Sequence, residues 1–289
     1  MDRILFAETG RYWPIPACRN VWVKKAIEMT DQNNKPRIAV HKFSSCDGCQ
    51  LAFLNLGEDL LVLNQLVDIV HFAEAGMLDE MAEVDIAFVE GSISTQSDIE
   101  RIHKIREHSR YLITIGACAT AGGLQALRNL SDAGWLQAVY PQPEYIDSLD
   151  HVTPISKQVH VDLELWGCPI DQHQLVTAIR SLLWGVLPKL EQNKVCMECK
   201  RRQHVCVMVT QGTACMGPVT YTGCGALCPS VGRGCYGCYG PGENPNTAAL
   251  GQWFSGLGLL PEQIARQFLA INSQAEPFTT AGKSWKDKT

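Results

Sequence analysis

Apolar residues in the first two thirds of the chain fall into short solid runs separated by longer stretches at helical spacing. The runs at 37–43 (RIAVHKF), 67–72, 84–89 (VDIAFV), 111–115 and 161–165 predict strands. Between and after them, 50–66, 99–108 and 172–184 carry apolar positions every three to four residues and predict helices. Strands alternating with helices imply an α/β architecture, a mainly parallel sheet covered on both faces. Such sheets hold their sites just beyond the carboxyl ends of the strands. Three runs deliver cysteine there: the first leads to Cys46 and Cys49, the fourth into Gly116-Ala117-Cys118, the fifth into Trp166-Gly167-Cys168-Pro169.

Beyond about residue 190 the pattern dissolves. Residues 191–244 hold eight cysteines and nine glycines with little apolar periodicity, a composition that needs cross-links or metal to fold. A helix is predicted over 262–269, followed by a polar tail ending KSWKDKT. The first 35 residues form an extension, with a helix expected near 21–29. The organisation expected is therefore an extension (1–35), an α/β domain (36–190) and a cysteine-rich domain (191–289).

Composition narrows the function classes. The chain has 289 residues, 46% hydrophobic and 19% charged, as a folded globular protein does. Its net charge of −5 gives no electrostatic reason to expect nucleic acid as partner. No apolar run reaches the roughly 18 residues that would span a bilayer. The start, MDRILFAETG, lacks a basic-then-apolar leader and a twin-arginine pair, so a cytoplasmic location is expected. Thirteen cysteines in a reducing compartment argue for metal rather than disulfides, and an odd total fits poorly with complete pairing.

The cysteines form two constellations. Cys46, Cys49, Cys118 and Cys168 each sit at a predicted strand end, where four thiolates converging could hold a four-iron cluster. The alternative is that they are unrelated buried cysteines, which pack as small hydrophobes. The second constellation reads Cys196-x2-Cys199-x6-Cys206-x8-Cys215, then Cys224-x3-Cys228-x6-Cys235-x2-Cys238. Eight cysteines divide into two fours, each opening or closing on CxxC, and metal is the reading. Structural zinc competes with iron–sulfur there, although a zinc site usually takes two separated CxxC pairs. Pro169 and Pro229, following Cys168 and Cys228, match the Cys-Pro of bacterial ferredoxins.

Taken together, SSCDGCQLAFLNL, VEGSI, GACATAGGLQAL, WGCPI and CMGPVTYTGCGALCPSVGRGCYGCYGP resemble the small subunit of [NiFe]-hydrogenases over about 36–245. The similarity is to the cytoplasmic multimeric class, which includes sulfhydrogenases and the NAD(P)-, F420- and heterodisulfide-reductase-linked enzymes. It implies a flavodoxin-like domain followed by an iron–sulfur domain with little regular structure. It further implies three [4Fe-4S] clusters: proximal on Cys46, Cys49, Cys118 and Cys168, medial on Cys224, Cys228, Cys235 and Cys238, distal on Cys196, Cys199, Cys206 and Cys215. Membrane-associated and periplasmic members commonly place histidine at the position of Cys196 and lack a counterpart of Cys228; here both are cysteine. Many also have Glu where this chain has Gln50. The implied partners are a large subunit carrying the NiFe site and a further electron-transfer subunit, linked to flavin and NAD(P), F420 or ferredoxin. No nickel, flavin or nucleotide is expected in this chain, which has no P-loop. The related relay subunits of complex I and of membrane-bound hydrogenases carry one cluster and lack the later eight cysteines.

A few residues stay outside these sets. Cys18 has no partner and reads as a structural thiol, and His204, between Cys199 and Cys206, as a neighbour rather than a ligand. Glu90, at a strand end, suits either a role at the subunit interface or a capping hydrogen bond. Arg201 and Arg202 form either a docking patch or ordinary solvated surface.

Overall fold

The computed structural model describes residues 35–131 and 134–288. The helix expected near 21–29 and Cys18 lie outside the described residues. Strand β1 (Arg37–Lys42) leads into helix α1 (Gly48–Leu54), then α2 (Glu58–Leu66), β2 (Asp68–Phe72) and a two-residue β3 (Met77–Leu78). After these come β4 (Val84–Glu90), α3 (Gln96–Glu107), β5 (Ser109–Ile115), α4 (Gly116–Ala121), α5 (Trp135–Val139), β6 (Leu163–Leu165) and α6 (Gln172–Leu183).

The sheet order is β3-β2-β1-β4-β5-β6. Only β3 runs antiparallel to its neighbour; the other pairings are parallel. Without that edge strand the order is the 2-1-3-4-5 of doubly wound flavodoxin-like sheets, reversing between β1 and β4. Those two strands are buried along nearly their whole length, which is why they read as solid apolar runs rather than alternation. On one face α1 and α6 pack Phe53, Leu175 and Ile179 against Val40, Phe88 and Ile113. On the other, α3 places Ile102 and Ile105 against Ala87, Val89 and Leu112. Thr95 starts α3 with a reciprocal cap, its Oγ1 accepting from the Asp98 N–H and its own N–H donating to the Asp98 carboxylate. The helix expected over 50–66 is two helices, because Gly57 takes a positive φ of 59° between them.

The remainder carries α7 (Val195–Arg201), α8 (Val207–Gln211), α9 (Leu227–Ser230), α10 (Thr247–Gly256), α11 (Pro261–Leu269) and α12 (Glu276–Lys286). Regular structure within the cysteine-bearing stretch is short, as expected. The tail is not the polar tail expected, because α12 occupies it. Phe278, Ala281, Gly282 and Trp285 recur at i, i+3, i+4 and i+7 and form one buried stripe among polar residues. Phe254, Phe268 and Phe278 follow one another in a ring series with centroids 6.4 and 6.0 Å apart. This second core also contains Cys215 and Cys235. Among the described residues no helix is long and apolar enough to cross a membrane.

Candidate metal centres

The four cysteines of the first constellation lie at the carboxyl ends of three parallel strands. Cys46 follows β1, and Cys49 opens α1. Cys118 lies in α4 directly after β5, and Cys168 in the loop after β6. The Ala117 N–H donates to the Gly167 carbonyl at 2.7 Å, tying the end of β5 to the loop that carries Cys168. Burial pushes the Cys118 thiol up to about 12, reinforced by the charges of Cys168 and Cys46. Cys49 is raised further, by burial, by Glu90, and by Cys118 and Cys168 among others. The four thiols are thus electrostatic neighbours. Gly116 leaves room for one of them: with a positive φ of 85°, a Cβ there would stand 2.3 Å from Cys49 Sγ.

Glu90 ends β4 at the same sheet edge, with only 2% of its surface exposed. Its carboxylate accepts from the Cys49 N–H at 3.0 Å and the Gln50 N–H at 3.2 Å, capping α1. Burial raises its pKa while those two donors oppose the rise. Of the two roles suggested by the sequence, the geometry accounts for the capping one. Gln50 is fully buried; its Oε1 accepts from the Glu74 N–H, and its side chain lies beside the Glu90 carboxylate.

Cys196 and Cys199 ride on α7, Cys206 precedes α8, and Cys215 lies in the second core. A Cβ at Gly217 would be 3.4 Å from Cys215 Sγ and 3.5 Å from Cys196 Sγ, so those sulfurs flank one point. Burial pushes Cys196 up to about 11, with Cys215, Cys199 and Cys206 adding to it. Cys224 and Cys228 flank the turn into α9, and Cys235 and Cys238 follow. Cys238 is raised to about 12 by burial and by Cys224, Cys168 and Cys228.

Contacts between the groups give them an order in space that differs from their order in sequence. The first joins the group at 224–238 through the Tyr239 hydroxyl, beside Cys238, which donates to the Pro169 carbonyl, beside Cys168, at 3.3 Å. That group joins the one at 196–215 through the Cys235 N–H, which donates to Cys215 Sγ at 3.1 Å, and through the Met216 N–H on the Cys235 carbonyl at 2.9 Å. The group at 224–238 therefore lies in the middle.

Thiols gathered by fours, with Cys49, Cys215 and Cys235 buried among them, are the donors that a metal centre needs, so each group suits metal. Among the described residues no three His, Cys, Asp or Glu side chains close tightly enough to hold one ion. Four cysteines per group is the donor set of an iron–sulfur cluster, in which each thiolate takes a different iron, and equally of a four-cysteine zinc site.

The remaining candidates are now placed. His204 is half-buried, and its Nε2 has no hydrogen-bond partner. Arg201 pairs with Glu191, and the Arg202 guanidinium lies against Gly225, next to Cys224. Sequence reasoning missed three residues beside the sulfurs. Gln125 Oε1 accepts from Cys118 Sγ at 3.4 Å. Trp166 and Tyr239 sit where the first and middle groups meet. The only sequence signal for the last two was their adjacency to cysteines, in WGCPI and GCYGP.

Known proteins resemble this chain in sequence and in fold. The family model described as NADH ubiquinone oxidoreductase, 20 Kd subunit, matches residues 46–182, which include the first four cysteines and none of the later eight. The delta subunit of sulfhydrogenase 2 from Pyrococcus furiosus is 34% identical over 231 residues, covering 80% of this chain and 97% of the relative. A subunit of the vhu F420-non-reducing hydrogenase of Methanococcus voltae is 33% identical over 237 residues, covering 72% and 83%. A chain of an NAD+-reducing [NiFe]-hydrogenase crystallised in the H2-reduced state superposes with a TM-score of 0.51 at 30% identity, covering 55% of this chain and 96% of that one. The fold also matches a chain of the actinobacterial-type NiFe-hydrogenase from Ralstonia eutropha H16 (TM-score 0.53, 16% identity), covering 95% of this chain and 94% of that one.

Proposed function

This chain belongs to the family of small subunits of multimeric [NiFe]-hydrogenases and is a subunit of such an enzyme, and from that premise we propose that it carries electrons on three [4Fe-4S] clusters. Cys46, Cys49, Cys118 and Cys168 hold the proximal cluster. Cys224, Cys228, Cys235 and Cys238 hold the medial one, and Cys196, Cys199, Cys206 and Cys215 the distal one. When bound, the clusters supply one-electron steps between the NiFe site of a large subunit and a further redox subunit, in H2 oxidation or proton reduction. The partners are that large subunit and an acceptor subunit linked to flavin and NAD(P), F420 or ferredoxin. The complex works in the cytoplasm.

The observation that carries this reading is the series of contacts linking the three groups, from Tyr239 beside Cys238 to Pro169 beside Cys168, and from Cys235 to Cys215. The chain's own chemistry serves it in two ways. Burial keeps the free thiols protonated, so loading expels protons as metal binds. Backbone N–H groups of Cys235 and Gly237 point at sulfurs and stabilise added negative charge there. At the far end, Arg201, Arg202 and the exposed Cys206, Val205 and Val209 form the face offered to the acceptor subunit.

Iron, acid-labile sulfide, zinc and nickel measured on the anaerobically purified complex test the proposal. About twelve irons and as many sulfides per chain, with negligible zinc and with nickel in the partner, are expected. Two or three zincs with little iron would leave a metal-stapled protein with no relay.

A further inference from the structure

A cavity lies where the two lobes meet, and both supply its walls. Glu164 of β6 and Trp166 come from the α/β lobe, Tyr221, Thr222 and Tyr239 from the cysteine-rich lobe, and Glu191 from the stretch between. Its volume is about 150 Å³. Sites for drug-sized molecules take roughly 300–1,000 Å³, so this one holds a group of a few heavy atoms rather than a flavin or a nucleotide.

Two of its aromatic walls are fixed by contacts across the lobes. Trp166 lies on Gly240 so closely that a Cβ there would stand 2.1 Å from its ring. Tyr239 lies on Gly223, where a Cβ would meet the ring at 2.7 Å, and its hydroxyl donates to the Pro169 carbonyl at 3.3 Å.

The charge of the cavity is one-sided. Glu164 and Glu191 line it, and no lysine, arginine or histidine does. Glu191 has Arg201 as its ion-pair partner, whereas among the described residues no cation pairs with Glu164. The Trp166 Nε1–H donates to Glu164 Oε2 at 3.1 Å, which leaves Oε1 for another donor. Burial raises the pKa of this carboxyl, and the indole N–H offsets that only in part. Thr222 adds a second unmet need: it is 2% exposed, and its Oγ1 has no hydrogen-bond partner. A half-buried carboxylate without a cation, an orphaned hydroxyl and three aromatic rings favour a positively charged N–H donor.

We propose that this cavity binds an organic cation through a guanidinium or primary ammonium group. The group is carried on a free small molecule or on an arginine or lysine side chain of another subunit. Glu164 Oε1 accepts from it and balances its charge, Thr222 Oγ1 accepts a further N–H, and Trp166, Tyr221 and Tyr239 enclose it. Because the walls come from both lobes, the bound cation also ties the lobes together.

Ethylguanidinium and its neutral isostere ethylurea, titrated by calorimetry into the intact complex, test this. Ethylguanidinium should bind saturably at one site per chain, and ethylurea should not. Glu164→Gln, which keeps the shape and an acceptor for the indole, should weaken binding about tenfold or more, the size of a hydrogen bond to a charged group. Thr222→Val should weaken it about two- to tenfold, the size of a neutral one. If a partner's side chain already fills the cavity, neither probe binds and Glu164→Gln instead raises the dissociation constant of the subunits about tenfold; that result supports the site and assigns its source. Equal binding of the two probes, or undiminished ethylguanidinium binding in Glu164→Gln, would overturn the proposal. So would an absence of saturable binding together with unchanged subunit dissociation. Should Glu164→Gln lose metal or its thermal midpoint fall, Thr222→Val decides, and undiminished binding there overturns the proposal.

Discussion

The two lobes of this protein treat cysteine in opposite ways. In the α/β lobe the core is built from Ile38, Val40, Phe88, Ile113 and their helix partners. The ligand thiols stand at its rim, Cys46 and Cys168 exposed and only Cys49 among the core residues. In the C-terminal lobe Cys215 and Cys235 are core residues, and Cys199 and Cys224 pack against that core. One lobe therefore presents a site on a finished fold, whereas the other uses its sites as part of the fold. The lesson is energetic: metal should be separable from folding in the first lobe and inseparable in the second.

Stripping the metal is the most severe test of that difference. Where metal binding is folding, apparent stabilisations run to about 10 kcal/mol or more in small metal-dependent domains. Hydrogen exchange on the chelator-treated protein should show 195–245 losing protection while β1, β4 and β5 keep theirs. Equal loss in both lobes, or in neither, would erase the distinction.

A core deletion should work the other way round. Phe88 is fully buried on β4 and meets Phe53 edge-on, with ring centroids 5.2 Å apart. Phe88→Ala should cost about 3–5 kcal/mol, the range for emptied aromatic sites. In denaturant titrations the loss should be the same in loaded and stripped protein. A cost that vanished on stripping would mean that the sheet also leans on metal.

How far the sequence foretold these lobes follows from the same contrast. The strands of the first were legible because β1 and β4 are buried on both faces, which forces solid apolar runs. The spacing of the cysteines suggests fours, and the structure adds that the stretch 224–238 stands between the other two sets. The break at Gly57 hid inside an apolar periodicity that continues across it. Helix α12 was missed because four buried residues, Phe278, Ala281, Gly282 and Trp285, include two small ones that carry little hydropathy signal. Tyr239 and Trp166 were illegible as functional positions because their importance lies in contacts 70 residues or more away along the chain, Tyr239 to Pro169 and Trp166 to Gly240.

A smaller effect separates the lobes by pH. His41 on β1 and His71 on β2 stack with ring centroids 4.6 Å apart, buried within the α/β lobe. Burial, then the charges of His71 and Arg101, pull His41 from 6.5 down to about 3. The unfolded chain then binds a proton that the folded one refuses. Stability is complete above 6.5 and falls as pH drops from there towards 3, by about 1.4 kcal/mol per unit. In stripped protein this slope belongs to the α/β lobe, and His41→Phe should flatten it in pH-dependent denaturation followed at β1. An unchanged slope would place the acid sensitivity elsewhere.

The finest discrimination comes from two matched helix caps. Thr95 Oγ1 accepts from the Asp98 N–H at the start of α3, and the Asn246 side chain accepts from the Ala249 N–H at the start of α10. Replacing either by Ala should cost about 1 kcal/mol, since each leaves one helix donor without its side-chain partner. Their consequences for metal should differ. Ile102 and Ile105 of α3 pack in a core that contains no cysteine, so Thr95→Ala should lower the denaturation midpoint and leave the rate of iron loss to a chelator untouched. Leu250 and Phe254 of α10 share their core with Cys215 and Cys235, so Asn246→Ala loosens the wall behind two ligands. If local opening of that wall limits iron loss, about 1 kcal/mol speeds it about fivefold. Equal rates in the two variants would show that the core around Cys215 and Cys235 stays closed by the clusters alone, and that α10 covers a structure it does not hold together.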